Sequence, residues 1–431
     1  MSSGLLNKDY AIYLPAVNDS FPSQVLKPLD PKRPFPDGIE LKDLIFWDRD
    51  NKLWHYSHIL HSLGLHKVGS NPDNAITRAG RTDCVLVGDS GGFQIGHGTL
   101  KGLRGFSAGM SGADAEAAWA GAYDVKHWIV SWLEQHADYA MTIDMPSWAV
   151  LKGKEGSPFH LCSVQQLTDM TVDNLRFIDA HREGRTKWLN VIQGNDDQTA
   201  RDWWDAVKWF DCGGYALAGA AGKAGGIKSM LQILLTMRDD GAFVSGRDWI
   251  HTLGVSTTRW AILLTAIQRA LRKTVNPQLQ ISYDSSTPFS ITGEQDQIAV
   301  GPRLTRRTSD WTIQYVESPQ SSLLAGSNAP FPFTSPLASK LTLGHINVRG
   351  GAWTQRNFDT VSSLLLCNHN CWVMLDAFKR ANDIAFASNR QDMPDLWRQC
   401  IDFVEDVFTQ PNWSAELAKE RKLLDKVAKA D

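Results

Sequence analysis

Six short apolar segments, near residues 84–88, 139–143, 188–192, 215–218, 250–254 and 280–283, are separated by stretches long enough for helices. This alternation constrains the fold more than any other feature of the chain, because repeated strand–helix units imply a parallel sheet. The helical part of the pattern is clearest over residues 163–181, where Ser163 can cap and Leu167, Met170, Leu175 and Ile178 recur at helical spacing. Residues 199–210 give a second helix, and its Trp203 and Trp204, with Trp209, read as packing residues. Most of the strand candidates end in a polar residue or a glycine. Such ends converging on one site favour a closed (β/α)8 TIM barrel over an open sheet.

The flanks are less regular. Residues 1–50 read as an irregular N-terminal wrap, since Pro15, Pro22, Pro28, Pro31, Pro34 and Pro36 remove donors and break both helix and strand. The barrel is expected over 51–390, with an insertion rich in Ser, Thr, Pro and Gly at about 285–345. Helical patterns follow at 371–388, 394–408 and 414–430, with Pro394 suited to a first turn and residues 391–431 forming C-terminal helices.

With 431 residues, 43% hydrophobic and 21% charged, the chain can bury a large core. A net charge of −3 gives no global attraction to nucleic acid, so such a partner needs a local basic patch. The six cysteines (84, 162, 212, 367, 371 and 400) are scattered and partly within apolar runs, which points to free thiols. No run reaches the ~18 apolar residues of a membrane span, and Met1–Asp9 lacks a basic segment followed by an apolar block, so a cytoplasmic protein is expected.

One stretch carries chemistry directly. Gly88, Asp89, Ser90, Gly91, Gly92, Phe93 and Gln94 place a carboxylate, a hydroxyl, two close-approach backbone positions and an aromatic face after the strand Cys84–Val87. Asp89-Ser90-Gly91-Gly92-Phe93-Gln94 resembles the signature of the tRNA-guanine transglycosylases, which exchange guanine in a nucleic acid for a 7-deazaguanine. Further segments resemble family elements in the same order: Ala140–Asp144, Leu189–Gly194, Gly214–Gly219, Thr252–Val255 and Ile281–Pro288. The resemblance independently implies the barrel.

Glycosyl exchange is easiest in two displacements, with a carboxylate holding the sugar while bases swap. By the resemblance, Asp284 is the nucleophile and Asp89 the acid–base group; a neighbouring carboxylate can raise the pKa of Asp89. Asp144 would accept from the N1–H and 2-amino group of guanine, while Gln193 and the backbone at Gly219 serve O6. Phe93 and Leu253 match the positions that sandwich the ring, and Ser90 would assist nearby. Arg303, Arg306 and Arg307 read either as a phosphate clamp behind the nucleophile or as a solvated loop. A lone strand-end carboxylate such as Asp144 can equally cap the following helix.

Three departures from the family narrow the expectation. The family's structural zinc sits on a Cys-x-Cys-x-x-Cys cluster plus a later histidine, but no cysteine lies between Cys212 and Cys367. No structural zinc, and no other cofactor, is therefore expected; Cys367, His369 and Cys371 would make at most a weaker site. Where bacterial relatives offer a glutamate to an aminomethyl cation, Ala220-Ala221-Gly222-Lys223 offers lysine, which favours 7-cyano-7-deazaguanine. After Asp284, the stretch Ser285–Ser290 lacks the arginine that reads an anticodon. The expected polymer is DNA, with tRNA exchange or a noncatalytic nucleic-acid-binding subunit as alternatives, no membrane partner, and a homodimer possible by family analogy. The target base would have to flip out of its stack.

Overall fold

In the computed structural model, residues 4–430 are described except 19, 79–80, 82, 320 and 349–358. Eight strands, β1 (Ile12–Val17), β2 (His58–Ser62), β3 (Val85–Asp89), β4 (Tyr139–Met141), β5 (Lys187–Ile192), β6 (Gly214–Leu217), β7 (Trp249–Thr252) and β8 (Gln280–Ser285), run parallel in chain order. β8 pairs with β1 from Ile12↔Ser282 to Pro15↔Ser285, and the barrel closes. The expected (β/α)8 architecture is present.

The N-terminal expectation needs correction, because β1 lies inside the stretch read as irregular. Its residues, Ile-Tyr-Leu-Pro-Ala-Val, are almost wholly buried. Pro15 is tolerated because it occupies the last register pair with β8, where a missing donor removes one ladder bond without interrupting the strand. Beyond β1, the described residues of the wrap hold a short helix at Ser20–Gln24 and a 3-10 turn at Leu41–Leu44, packed through Phe46 and Trp54, whose rings stack at 4.8 Å. β2 was not anticipated either. Its His58 and His61 break the apolar pattern, yet both are buried, and His61 Nδ1 bonds the Val17 carbonyl at 2.9 Å.

Helices cover the barrel. Ser163 caps the helix Val164–His181 as expected, and Gln166 completes a capping box. Asp196 does the same for Asp197–Val207, where Trp203 and Trp204 are buried, whereas Trp209 just beyond is 48% exposed. After β8 come the helix Thr287–Gln295 and an antiparallel pair, β9 (Gln297–Arg303) and β10 (Thr312–Glu317), before the long helix Thr360–Ala385.

That helix begins eleven residues earlier than its pattern suggested, because three polar residues in its middle, Asn368, His369 and Asn370, are fully buried. Asn368 accepts from Trp54 Nε1 at 3.0 Å and donates to the Leu44 carbonyl; Asn370 accepts from the Ala299 N–H and donates to Thr292 Oγ1. These side chains fasten the N-terminal wrap and the insertion to one helix, satisfying groups whose burial would otherwise be costly. C-terminal helices Asp395–Val407, Trp413–Lys419 and Arg421–Ala430 follow, with Pro394 as the cap residue of the first. All six cysteines are free and buried. Among the described residues, no helix is long and apolar enough to cross a membrane.

Candidate active site

The C-terminal ends of the strands, where barrel chemistry resides, open on a cavity of about 1120 Å³. Asp89 ends β3, Asp144 follows β4 by three residues, Gln193 follows β5 directly, and Gly219, Leu253 and Asp284 come from β6, β7 and β8. All six line the cavity, and so does Phe93. Seven of the expected base-site residues thus meet, although they are spread over almost two hundred positions.

Each carboxylate is held differently. Asp89 accepts from the Gly91 N–H at 3.2 Å through Oδ1. Gly91 has φ +87° and a Cβ there would lie 2.6 Å from Gly64 Cα, so only glycine supports this turn. Burial raises the Asp89 pKa, and the charge of Asp284 adds to the rise. Asp144 is pushed up to about 7, by burial first and by the charge of Asp89 second. Its loop is clamped from the helix Val164–His181: Asn174 Nδ2 donates to the Ile143 carbonyl and the Met145 N–H donates to Thr171 Oγ1.

Gln193 links the acid to its neighbours. Its amide nitrogen donates to Asp144 Oδ2, and its oxygen accepts from both the N–H and the hydroxyl of Ser147. The oxygen is thereby committed, so the amide group is oriented with its N–H donors toward Asp144 and the cavity. Gly219 opens a 3-10 turn at φ +54°, and a Cβ would lie 2.4 Å from the Gly194 carbonyl oxygen. The Ala220 N–H of this turn donates to the Gly194 carbonyl at 2.8 Å, so the Gly219 N–H at its opening is the amide left for a ligand among the described residues.

Asp284 is anchored through one oxygen. Oδ1 accepts from the Gly254 N–H at 3.0 Å and bonds His251 Nε2 at 3.2 Å, and its backbone carbonyl accepts from Val255. His251, fully buried, was not picked out from the sequence, where it reads as one polar residue in a core strand. At the rim, the exposed Phe93 ring lies 4.2 Å from His97 and 5.8 Å from Trp148. Trp148 also lines the cavity and was missed; an aromatic four residues past Asp144 was the available signal.

Neither the family models nor the curated proteins include a match to this chain. Geometry therefore carries the reading of the site.

Some expected residues fall elsewhere. Ser90 does not line the cavity; it is buried and its hydroxyl donates to the Thr142 carbonyl at 3.1 Å, tying the ends of β3 and β4 together. Arg303, Arg306 and Arg307 are exposed at the turn between β9 and β10 and do not border the cavity. Arg303 faces Asp310 and Arg306 faces Asp392, so both carry a partner already. His369 bonds Ser335 Oγ and the Ala299 carbonyl through its two ring nitrogens, and burial lowers its pKa to about 4. Cys367 and Cys371 are buried on the same helix with raised thiol pKa values, again through burial. Among the described residues no three His, Cys, Asp or Glu side chains group to hold a metal ion.

Proposed function

We propose that this protein is a base-exchange transglycosylase that replaces guanine in DNA with a 7-deazaguanine. The observation that carries the reading is the meeting of Asp89, Asp144 and Asp284 with the Gln193 amide in one cavity. Asp144 and Gln193 present acceptors beside donors, the complement of guanine's N1–H, 2-amino group and O6; adenine offers the reverse edge.

The chemistry then balances in two steps. Oδ2 of Asp284 attacks C1′, the C1′–N9 bond breaks with its electrons on guanine, and Asp89 supplies the proton the departing base takes. Asp89 suits this role because burial favours its protonated form. The incoming base gives its N9 proton to Asp89, N9 attacks C1′, and Asp284 leaves as a carboxylate. The flipped base would lie between Phe93 and Leu253, which face one cavity.

Beside the nucleophile, Ser285, Ser286, Thr287 and Ser290 line the cavity with hydroxyls, joined by the Glu294 carboxylate and without an arginine, which supports DNA over an anticodon loop. Incubating the protein with labelled guanine and 7-cyano-7-deazaguanine, on matched DNA and tRNA, tests the reading. Label in DNA alone is expected; label in tRNA alone moves the polymer, and label in neither sinks the enzyme.

Lys223 at the cavity wall makes a further prediction. Its cation disfavours an aminomethyl cation by an interaction worth roughly tenfold at close range. Neutral 7-cyano-7-deazaguanine should exchange with the higher kcat/KM, and Lys223→Glu should narrow or invert the ratio. Exchange of the aminomethyl base alone by the wild-type protein would refute this assignment.

A further inference from the structure

Behind Asp284 runs a chain of hydrogen bonds that the two-carboxylate reading does not use. Trp249 and His251 alternate on β7, Ser282 and Asp284 alternate on β8, and the strands pair with His251 opposite Ser282. Period-two alternation places all four side chains on one face of the sheet. Trp249 Nε1 bonds Ser282 Oγ at 2.7 Å, Ser282 Oγ bonds His251 Nδ1 at 2.9 Å, and His251 Nε2 bonds Asp284 Oδ1 at 3.2 Å.

The direction of the chain follows from what each group can do. An indole N–H only donates, so Ser282 Oγ accepts from Trp249 and keeps its own proton to give. An ionised carboxylate only accepts, so His251 must carry a proton on Nε2. With Nε2 protonated, the neutral ring's Nδ1 is an acceptor, and it takes the proton Ser282 has to offer. Every donor meets an acceptor in this arrangement alone. The opposite tautomer would set a lone pair against the Asp284 carboxylate.

We infer that His251 is the positioning residue of the nucleophile, with its tautomer set by Ser282 and Trp249. Together with the Gly254 N–H it fixes Oδ1, which leaves Oδ2 to face C1′. Among the described residues no hydrogen bond engages Oδ2. Two donors on one oxygen also keep the carboxylate from rotating, so the attacking oxygen is held at one place. His251 is fully buried and does not line the cavity; it acts only through Asp284. The inference rests on the base-exchange reading, which makes Asp284 the nucleophile.

The test compares His251→Leu, His251→Gln and Ser282→Ala in steady-state exchange. Misplacing a nucleophile costs on the order of 100-fold, so His251→Leu should lose ~100-fold in kcat while KM for both base and DNA stays within about threefold. His251→Gln, whose amide nitrogen can donate from near the Nε2 position, should recover to within ~10-fold of wild type, and Ser282→Ala should fall between. In an Asp284→Asn background His251→Leu should cause no further loss. A normal kcat in His251→Leu, a loss confined to KM, or an equal loss in the leucine and glutamine variants would overturn the assignment. Should the leucine variant fail to fold by circular dichroism, Ser282→Ala decides by the same criteria.

Imidazole 15N NMR of the wild-type protein reads the chain without turnover: a neutral His251 protonated on Nε2 is expected, and protonation on Nδ1 would overturn the relay. If the wild type exchanges no base in any polymer, the functional reading falls, and this spectrum still decides the hydrogen-bond direction.

Discussion

Asp284→Asn should abolish the covalent adduct with DNA and lower base exchange by at least ~10⁴-fold, the scale of removing a nucleophile whose partners remain in place. The fold should survive. Asparagine keeps an oxygen at the Oδ1 position, so the Gly254 N–H and His251 Nε2–H retain their acceptor. What the variant loses is the anion: an amide in the Oδ2 position cannot displace a purine from C1′. Two measurements separate chemistry from structure. Denaturing electrophoresis of protein incubated with end-labelled DNA reports the adduct, and the thermal midpoint should stay within a few degrees of wild type. An adduct that persists in Asp284→Asn would place the nucleophile elsewhere. An adduct lost together with the folded state would leave the assignment to Asp284→Glu, which keeps the carboxylate but moves it by one methylene and should form adduct slowly.

Local sequence made part of this site visible, and pairing between distant strands hid the rest. Asp89 and Asp284 stand out because each has its carboxylate, glycine or hydroxyl neighbours within a few residues. The barrel itself was legible from apolar segments at strand spacing, since strands buried on both faces read as continuous apolar runs. β1 was obscured by prolines around it, and the tolerance of Pro15 depends on where pairing with β8 ends, which no local pattern states. His251 was obscured for a related reason. It matters through Ser282 and Asp284, thirty-one and thirty-three positions away, and only the β7–β8 register brings them together.

Ser90 is the converse case: the right residue type in the right motif, yet its hydroxyl is spent on the Thr142 carbonyl. A motif fixes which atoms are present, and the strand ends around it decide where they point. The same holds for the trio Asn368, His369 and Asn370, which looks like a break in a helix until the wrap and the insertion supply partners.

Asp144→Asn should do two opposite things, raising stability while removing guanine recognition. In the free protein Asp144 is pushed up to about 7 from 3.8 because burial and the charge of Asp89 disfavour its anion. The sign follows from proton counts. Between those values the folded protein holds a proton that the unfolded chain has released, so stability falls as pH rises through this window. Above pH 7 the full penalty is present, and a shift of this size corresponds to as much as about 4 kcal/mol. Asparagine carries no such charge, and its oxygen still accepts from the Gln193 amide. The variant's thermal midpoint should therefore exceed that of wild type at pH 8, with the gap closing toward pH 4. Recognition moves the other way. Only the ionised carboxylate can accept from both N1–H and the 2-amino group of guanine, whereas an amide sets its own donors against them, and a buried mismatch of that kind lowers kcat/KM by roughly 10³-fold or more. The wild-type protein should show the same dependence through its titration, with KM for free guanine rising as pH drops below about 7. If Asp144→Asn were less stable than wild type at pH 8 yet exchanged guanine normally, Asp144 would be a structural cap and not the residue that reads the base.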